Sequence, residues 1–123
     1  MILCDTNILI DFYKNDPAVV GELRKIGQSN IAFSVVTSGE MIYGALNKRE
    51  LAQILKDLSH LTVLEIDSSI CRIFLQLMEQ YSLSHNLTLP DAIIAATALH
   101  HNIPLYTLNK KDFKYIQGLQ LHV

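Results

Sequence analysis

The chain has few cysteines: among 123 residues there are two, Cys4 and Cys71. Two thiols cannot make the disulfide framework of a small secreted domain, and both sit among apolar residues. They are expected as small buried thiols. No apolar run is long enough to cross a bilayer. The N-terminus lacks a basic region, a long apolar stretch and a small-residue cleavage site, so no secretory signal is visible. The expectation is a soluble cytoplasmic protein with no membrane partner. Repeats, low-complexity segments and linkers are also missing, which leaves a single domain over residues 1–123. There is no excess of positive charge: 10 Lys and Arg face 12 Asp and Glu, a formal net charge of −2. Avid nonspecific binding to nucleic acid comes with a basic balance, so such a partner would need a local basic patch. The five histidines do not make a zinc site. His100 and His101 are adjacent and point different ways on a helix, and neither cysteine has a CxxC partner.

What the chain does have is apolar residues in alternating patterns. Half of the residues are apolar and 18% are charged, enough for a real core. MILC is a short apolar run, consistent with a buried strand. ILIDFYKNDPAVVGELRKIG has helical spacing broken at Asn15-Asp16-Pro17, which predicts two helices. IAFSVVT is rich in β-branched residues and reads as a second strand. SGEMIYGALNKRELAQILKDLSHL has helical spacing, with Gly44 as a weak point. LTVLEID reads as a third strand and SSICRIFLQLMEQYSLSHN as a long amphipathic helix, with Ile70, Ile73, Phe74 and Leu77 toward the core. Pro90 stands at the entrance of DAIIAATALHHN, a small-residue helix. IPLYTLN is a fourth strand, and LQLHV a candidate fifth. Strands separated by helices predict an α/β fold: a mostly parallel sheet of four to five strands with helices on both faces. In such sheets function sits beyond the carboxyl ends of the strands.

Oxygen-bearing side chains collect at those ends. Asp5 follows strand one directly. Glu40 comes four residues after Val36, near the expected end of strand two. Asn109 follows strand four, with Asp112 three residues on. Asp91 lies at a helix start beside Pro90. Each has an ordinary structural use. Thr37-Ser38-Gly39-Glu40 matches a capping box, Asp91 suits the positive end of its helix, and Asp5, Asn7, Asn109 and Asp112 suit turns. The joint placement is what independent caps do not explain. Carboxylates within about 4–6 Å of one another repel until protons or a cation join them. All-oxygen ligands suit hard cations such as Mg²⁺ or Mn²⁺, the chemistry of phosphodiester hydrolysis.

These residues resemble the PIN-domain ribonucleases, most closely the VapC-type toxins of type II toxin–antitoxin pairs. The likeness covers almost the whole chain. It rests on MILCDTNILID, SVVTSGEMIYGA and LPDAIIAATALHHNIPLYTLNKKDF, in that order, and on the length. It implies a PIN-like three-layer sandwich and a Mg²⁺- or Mn²⁺-dependent endoribonuclease acting on RNA. It also implies a homodimer and inhibition by a cognate antitoxin protein. Asp5, Glu40 and Asp91 map onto the family's metal site. The fourth acidic position falls after strand four, where Asn109 is a neutral amide and Asp112 offers the nearby carboxylate.

Supporting roles are expected for Thr6 and Asn7, which could hold Asp5, and for Thr107, which could orient a ligand from the edge of strand four. Lys110, Lys111 and Lys114, with Lys48 and Arg49, could grip phosphates. Met41, Tyr43, Leu46, Leu51 and Ile54 offer a dimer or antitoxin surface, although core packing is the better default. The competing reading is a noncatalytic PIN-fold binding module with an incomplete metal site, which Asn109 keeps open. A receiver-like domain would use Asp67 but needs a second acid beside Asp5. A haloacid-type phosphatase needs D-x-D where this chain has Asp5-Thr6-Asn7. Both rank lower.

Overall fold

The computed structural model describes residues 1–123. Four short strands form one sheet: β1 (Ile2–Cys4), β2 (Ile31–Ser34), β3 (Thr62–Leu64) and β4 (Leu105–Tyr106). Their order is β3-β2-β1-β4, and every pairing is parallel. Leu3 lies opposite Ala32 and Leu105, and Cys4 opposite Phe33 and Tyr106. Side chains alternate between the two faces of a strand, and two cores result. Leu3, Ala32 and Leu105 join one core with Ile70, Leu77 and the alanines from Ala92 to Ala98. Cys4, Ile31, Phe33 and Tyr106 join the other with Ile8, Leu9 and Val19. This is the expected three-layer α/β arrangement, with β1 inside the sheet.

Six helices cover the faces: α1 (Thr6–Tyr13), α2 (Pro17–Ile26), α3 (Val35–Tyr43), α4 (Lys48–Leu58), α5 (Ser68–His85) and α6 (Leu89–His101). No helix is long and apolar enough to cross a membrane. The expected break at Asn15-Asp16-Pro17 separates α1 from α2. Asp16 caps α2 by accepting from the N–H groups of Ala18 and Val19, and Pro17 opens the helix. Asn86 and Asn102 end α5 and α6 in the left-handed conformation, at φ 56° and 53°. Asn tolerates that region better than most residues. Asp67 caps α5 through Ile70 N–H at 2.8 Å.

Four expectations need correction. The second strand stops at Ser34, and Val35-Val36-Thr37 begin α3 instead. The Ser34 hydroxyl accepts from Val36 N–H at 3.1 Å, and a cap there outweighs the β-preference of two valines. The segment after it is two helices, not one. Chain direction changes between Gly44 and Asn47, and Asn47 caps α4 by accepting from Glu50 N–H. The candidate fifth strand shrinks to one parallel bridge, Leu105 with Leu121. Cys4 is buried as expected, but Cys71 is exposed, because it lies on the outer side of α5 while Ile70 takes the core.

Candidate active site beyond the strand ends

Asp5 leaves β1 with its backbone held on both sides. Its N–H donates to the Tyr106 carbonyl at 2.9 Å, and its carbonyl accepts from Ile8 N–H at 3.0 Å. The residue is only 4% exposed. The Thr107 hydroxyl donates to Asp5 Oδ2 at 2.8 Å and accepts from Asn109 N–H at 3.0 Å. That second bond commits the hydroxyl proton to the carboxylate. Asn109 therefore orients Thr107, and Thr107 orients Asp5. Burial raises the Asp5 carboxyl above its ordinary value. Thr107 and the N–H groups of Asn7 and Thr6 oppose the rise, and the Glu40 charge adds to it.

Glu40 sits in the second turn of α3, not at a strand end. Its Oε1 accepts from the Thr6 hydroxyl at 2.8 Å. The Thr6 and Thr37 hydroxyls are also 2.8 Å apart. Because the Thr6 proton goes to Glu40, Thr37 donates to Thr6. Three side chains from α1 and α3 thus form one directed chain. The capping-box use of Thr37 and Glu40 is excluded: Ser34 is the cap, and Glu40 reaches across to α1. The Thr6 N–H donates to Asp5, while its side chain serves Glu40. Asn7 is exposed and contributes only its N–H.

Asp91 occupies the first turn of α6, where Thr88 is the cap. Its carboxyl is pushed up to about 6. Burial is the largest cause, followed by the charges of Asp5, Asp112 and Glu40. Asp112, in the 3₁₀ turn Lys110–Asp112, is exposed. The four expected carboxylates come from four parts of the chain, and three of them, Asp5, Glu40 and Asp112, act electrostatically on Asp91. After β4 the charge felt at Asp91 is that of Asp112, while the Asn109 N–H serves Thr107. As the side chains stand, no three acids, imidazoles or thiols are gathered tightly enough to surround a metal ion. The donors are all oxygens, which suit hard cations rather than zinc.

Two contributors went unnoticed in the sequence. Thr37 was seen only as a cap, although a residue three positions before Glu40 shares its helix face. Tyr115 had no signal; burial raises its hydroxyl, and Asp91 and Asp112 raise it further. The basic residues Lys48, Arg49, Lys110, Lys111 and Lys114 are all exposed.

The sequence matches the family described as PIN domain over residues 2–119. The chain belongs to the PIN-domain family. Curated relatives within it carry the name VapC. The tRNA(fMet)-specific endonuclease VapC of Shigella flexneri is 32% identical, over 96% of this chain and 93% of that protein. Ribonuclease VapC1 of Methanocaldococcus jannaschii is 31% identical, over 99% and 85%. A toxin–antitoxin complex from Klebsiella pneumoniae contains a chain 33% identical, with TM-score 0.81, covering 97% of this chain and 95% of that one. The four-stranded parallel sheet and its helices are thus the PIN fold as VapC-type proteins build it.

Proposed function

We propose that this VapC-type chain is a Mg²⁺- or Mn²⁺-dependent endoribonuclease, the toxin of a toxin–antitoxin pair acting in the cytoplasm. One observation carries the reading. Asp91 is raised to about 6 in part by Asp5, Asp112 and Glu40, so the fold sustains a cluster of mutually repelling carboxylates. Such repulsion lowers stability unless a cation is meant to relieve it. Asp5 and Asp91 would hold the ion, with Glu40 and Asp112 at its periphery. Use of one or two carboxylates plus water and phosphate oxygens is the habit of Mg²⁺. A bound divalent ion supplies charge neutralisation at the phosphate and a more acidic water. The chain's own residues do the rest. Thr107 and Asn109 fix the Asp5 carboxylate. Thr6 and Thr37 fix one oxygen of Glu40 and leave the other to accept a proton from an attacking water.

Partner surfaces support the same reading. A groove of about 490 Å³ between α1, α3 and α4 has Glu40 on its wall. A second groove of about 480 Å³, lined by Leu9, Phe12, Val20 and Leu23, shares Tyr13 and Asp57 with the first. Together they give an antitoxin segment a path that is apolar beside α2 and polar where it nears Glu40. Of the residues expected to form a partner surface, Ile54 is buried in the core, but Tyr43 and Leu46 are 93% and 85% exposed. They offer a face for a homodimer.

The decisive experiment is RNA cleavage by the purified chain with Mg²⁺ or Mn²⁺, with chelator, and for Asp5→Asn. Cleavage is expected only in the parent with metal. Cleavage that persists in excess chelator overturns the metal mechanism. A parent that binds no divalent ion by calorimetry is a noncatalytic PIN-fold module.

A further inference from the structure

An aromatic cluster of Tyr81, His85 and Tyr115 lies beside the acidic site. The His85 and Tyr115 rings are stacked, with centroids 4.0 Å apart and planes 9° from parallel. Tyr81 meets both edge-on, at 5.1 Å from Tyr115 and 5.6 Å from His85. Being nearer to Tyr115, Tyr81 flanks the pair from the side and leaves the outer face of the imidazole uncovered. His85 is exposed, whereas Tyr115 is half-buried against the core. Two bonds steady the cluster: Gln117 N–H donates to the Tyr81 hydroxyl at 3.2 Å, and Ser84 Oγ lies 2.7 Å from His85 Nδ1. The cluster is also continuous with the site. Tyr115 follows Asp112 by three residues, His85 ends the helix that precedes α6, and the charges of Asp91 and Asp112 both reach the Tyr115 hydroxyl.

A stack that ends in an open, rigidly backed ring has the shape of a nucleobase platform. Unpaired bases stack on aromatic side chains, His included, and the contact tolerates any base because every base has a π-face. We propose that His85, backed by Tyr115 and Tyr81, receives an unpaired base of the RNA beside the scissile phosphate and so selects single-stranded substrate. This rests on the ribonuclease reading but concerns positioning: His85 touches the substrate away from the reacting atoms. An acidic site repels RNA through its phosphates, and a stacking contact supplies grip through the base instead.

The test is titration of the full chain, in chelator to prevent cleavage, with a short single-stranded RNA carrying a fluorescent purine analogue. The parent is expected to quench the analogue on binding. His85→Ala should weaken binding about tenfold and abolish quenching, and His85→Phe should restore both. Duplex RNA should bind equally to all three. In cleavage assays with Mg²⁺, His85→Ala should raise KM and leave kcat nearly unchanged. Binding without quenching by the parent overturns the platform, and that readout needs no variant to fold. A loss in His85→Ala that His85→Phe does not repair also overturns it, because it points to packing rather than stacking. Quenching without any cleavage supports the platform and overturns the nuclease; cleavage without quenching does the reverse.

Discussion

Replacing Asp91 with Asn should make the metal-free protein more stable. In the unfolded chain this carboxyl titrates at its ordinary 3.8, and in the folded chain at about 6. The folded state therefore holds the proton more tightly. The stability this supplies is fully present below pH 3.8 and is lost as pH rises through about 6. In full, the difference corresponds to about 3 kcal/mol at neutral pH. Asp91 is half-buried, so solvent screening reduces it to about 1–2 kcal/mol. Asn also forfeits the attraction between a carboxylate and the N-terminus of α6, about 0.5 kcal/mol. The net gain for Asp91→Asn is then about 1 kcal/mol, a rise in Tm of about 4 °C for a domain of this size. The assay is thermal unfolding in chelator at about pH 7.5 and about pH 5. The gain should appear at the higher pH and shrink at the lower, where the parent carboxyl takes up its proton. Added Mg²⁺ should stabilise the parent more than the variant. An Asn variant with the same or a lower Tm in chelator at the higher pH would refute the idea that the acids strain the site.

Thr107→Val removes the hydroxyl that holds Asp5 and should cut kcat at least tenfold, while loss of one charge-assisted hydrogen bond costs about 1.5–3 kcal/mol. Steady-state kinetics and unfolding on the same sample check both. Ser34→Ala deletes the α3 cap and should destabilise the fold by about 1 kcal/mol in chemical denaturation. Asn109→Asp adds a carboxylate beside Thr107; it should lower Tm in chelator and tighten Mn²⁺ binding by calorimetry, and unchanged affinity would place that side chain away from the ion.

How much of this was legible in the sequence depended on range. The role of MILC as an inner strand followed from four adjacent residues, and Asp5 at its end followed from the next. Helix ends written in single residues, such as Asp16-Pro17, were equally plain. Val35-Val36-Thr37 misled because β-preference is an average over contexts, while one serine and the end of pairing at Ser34–Leu64 decided the local outcome. Thr107 to Asp5 spans 102 residues, and Thr6 to Glu40 spans 34. No local rule assigns such partners. The topology places these residues at one edge, but the pairing of Thr6 with Glu40 and the backbone role of Asn109 are set by tertiary packing.

The chain's last residues matter for a different reason. β4 has two residues and lies at the rim of the sheet. Its outer side is occupied: Leu105 N–H donates to the Gln120 carbonyl at 2.8 Å, and His122 N–H donates to the Leu105 carbonyl at 2.8 Å. His122 Nε2 also lies 2.8 Å from Glu22 Oε1, which fastens the segment to α2. An uncovered parallel rim is a template for another chain. Residues Gln120–His122 therefore work as a shield against edge-to-edge aggregation. Removing Gln120–His122 would keep every acid of the site and bare the Leu105 N–H and carbonyl at the rim.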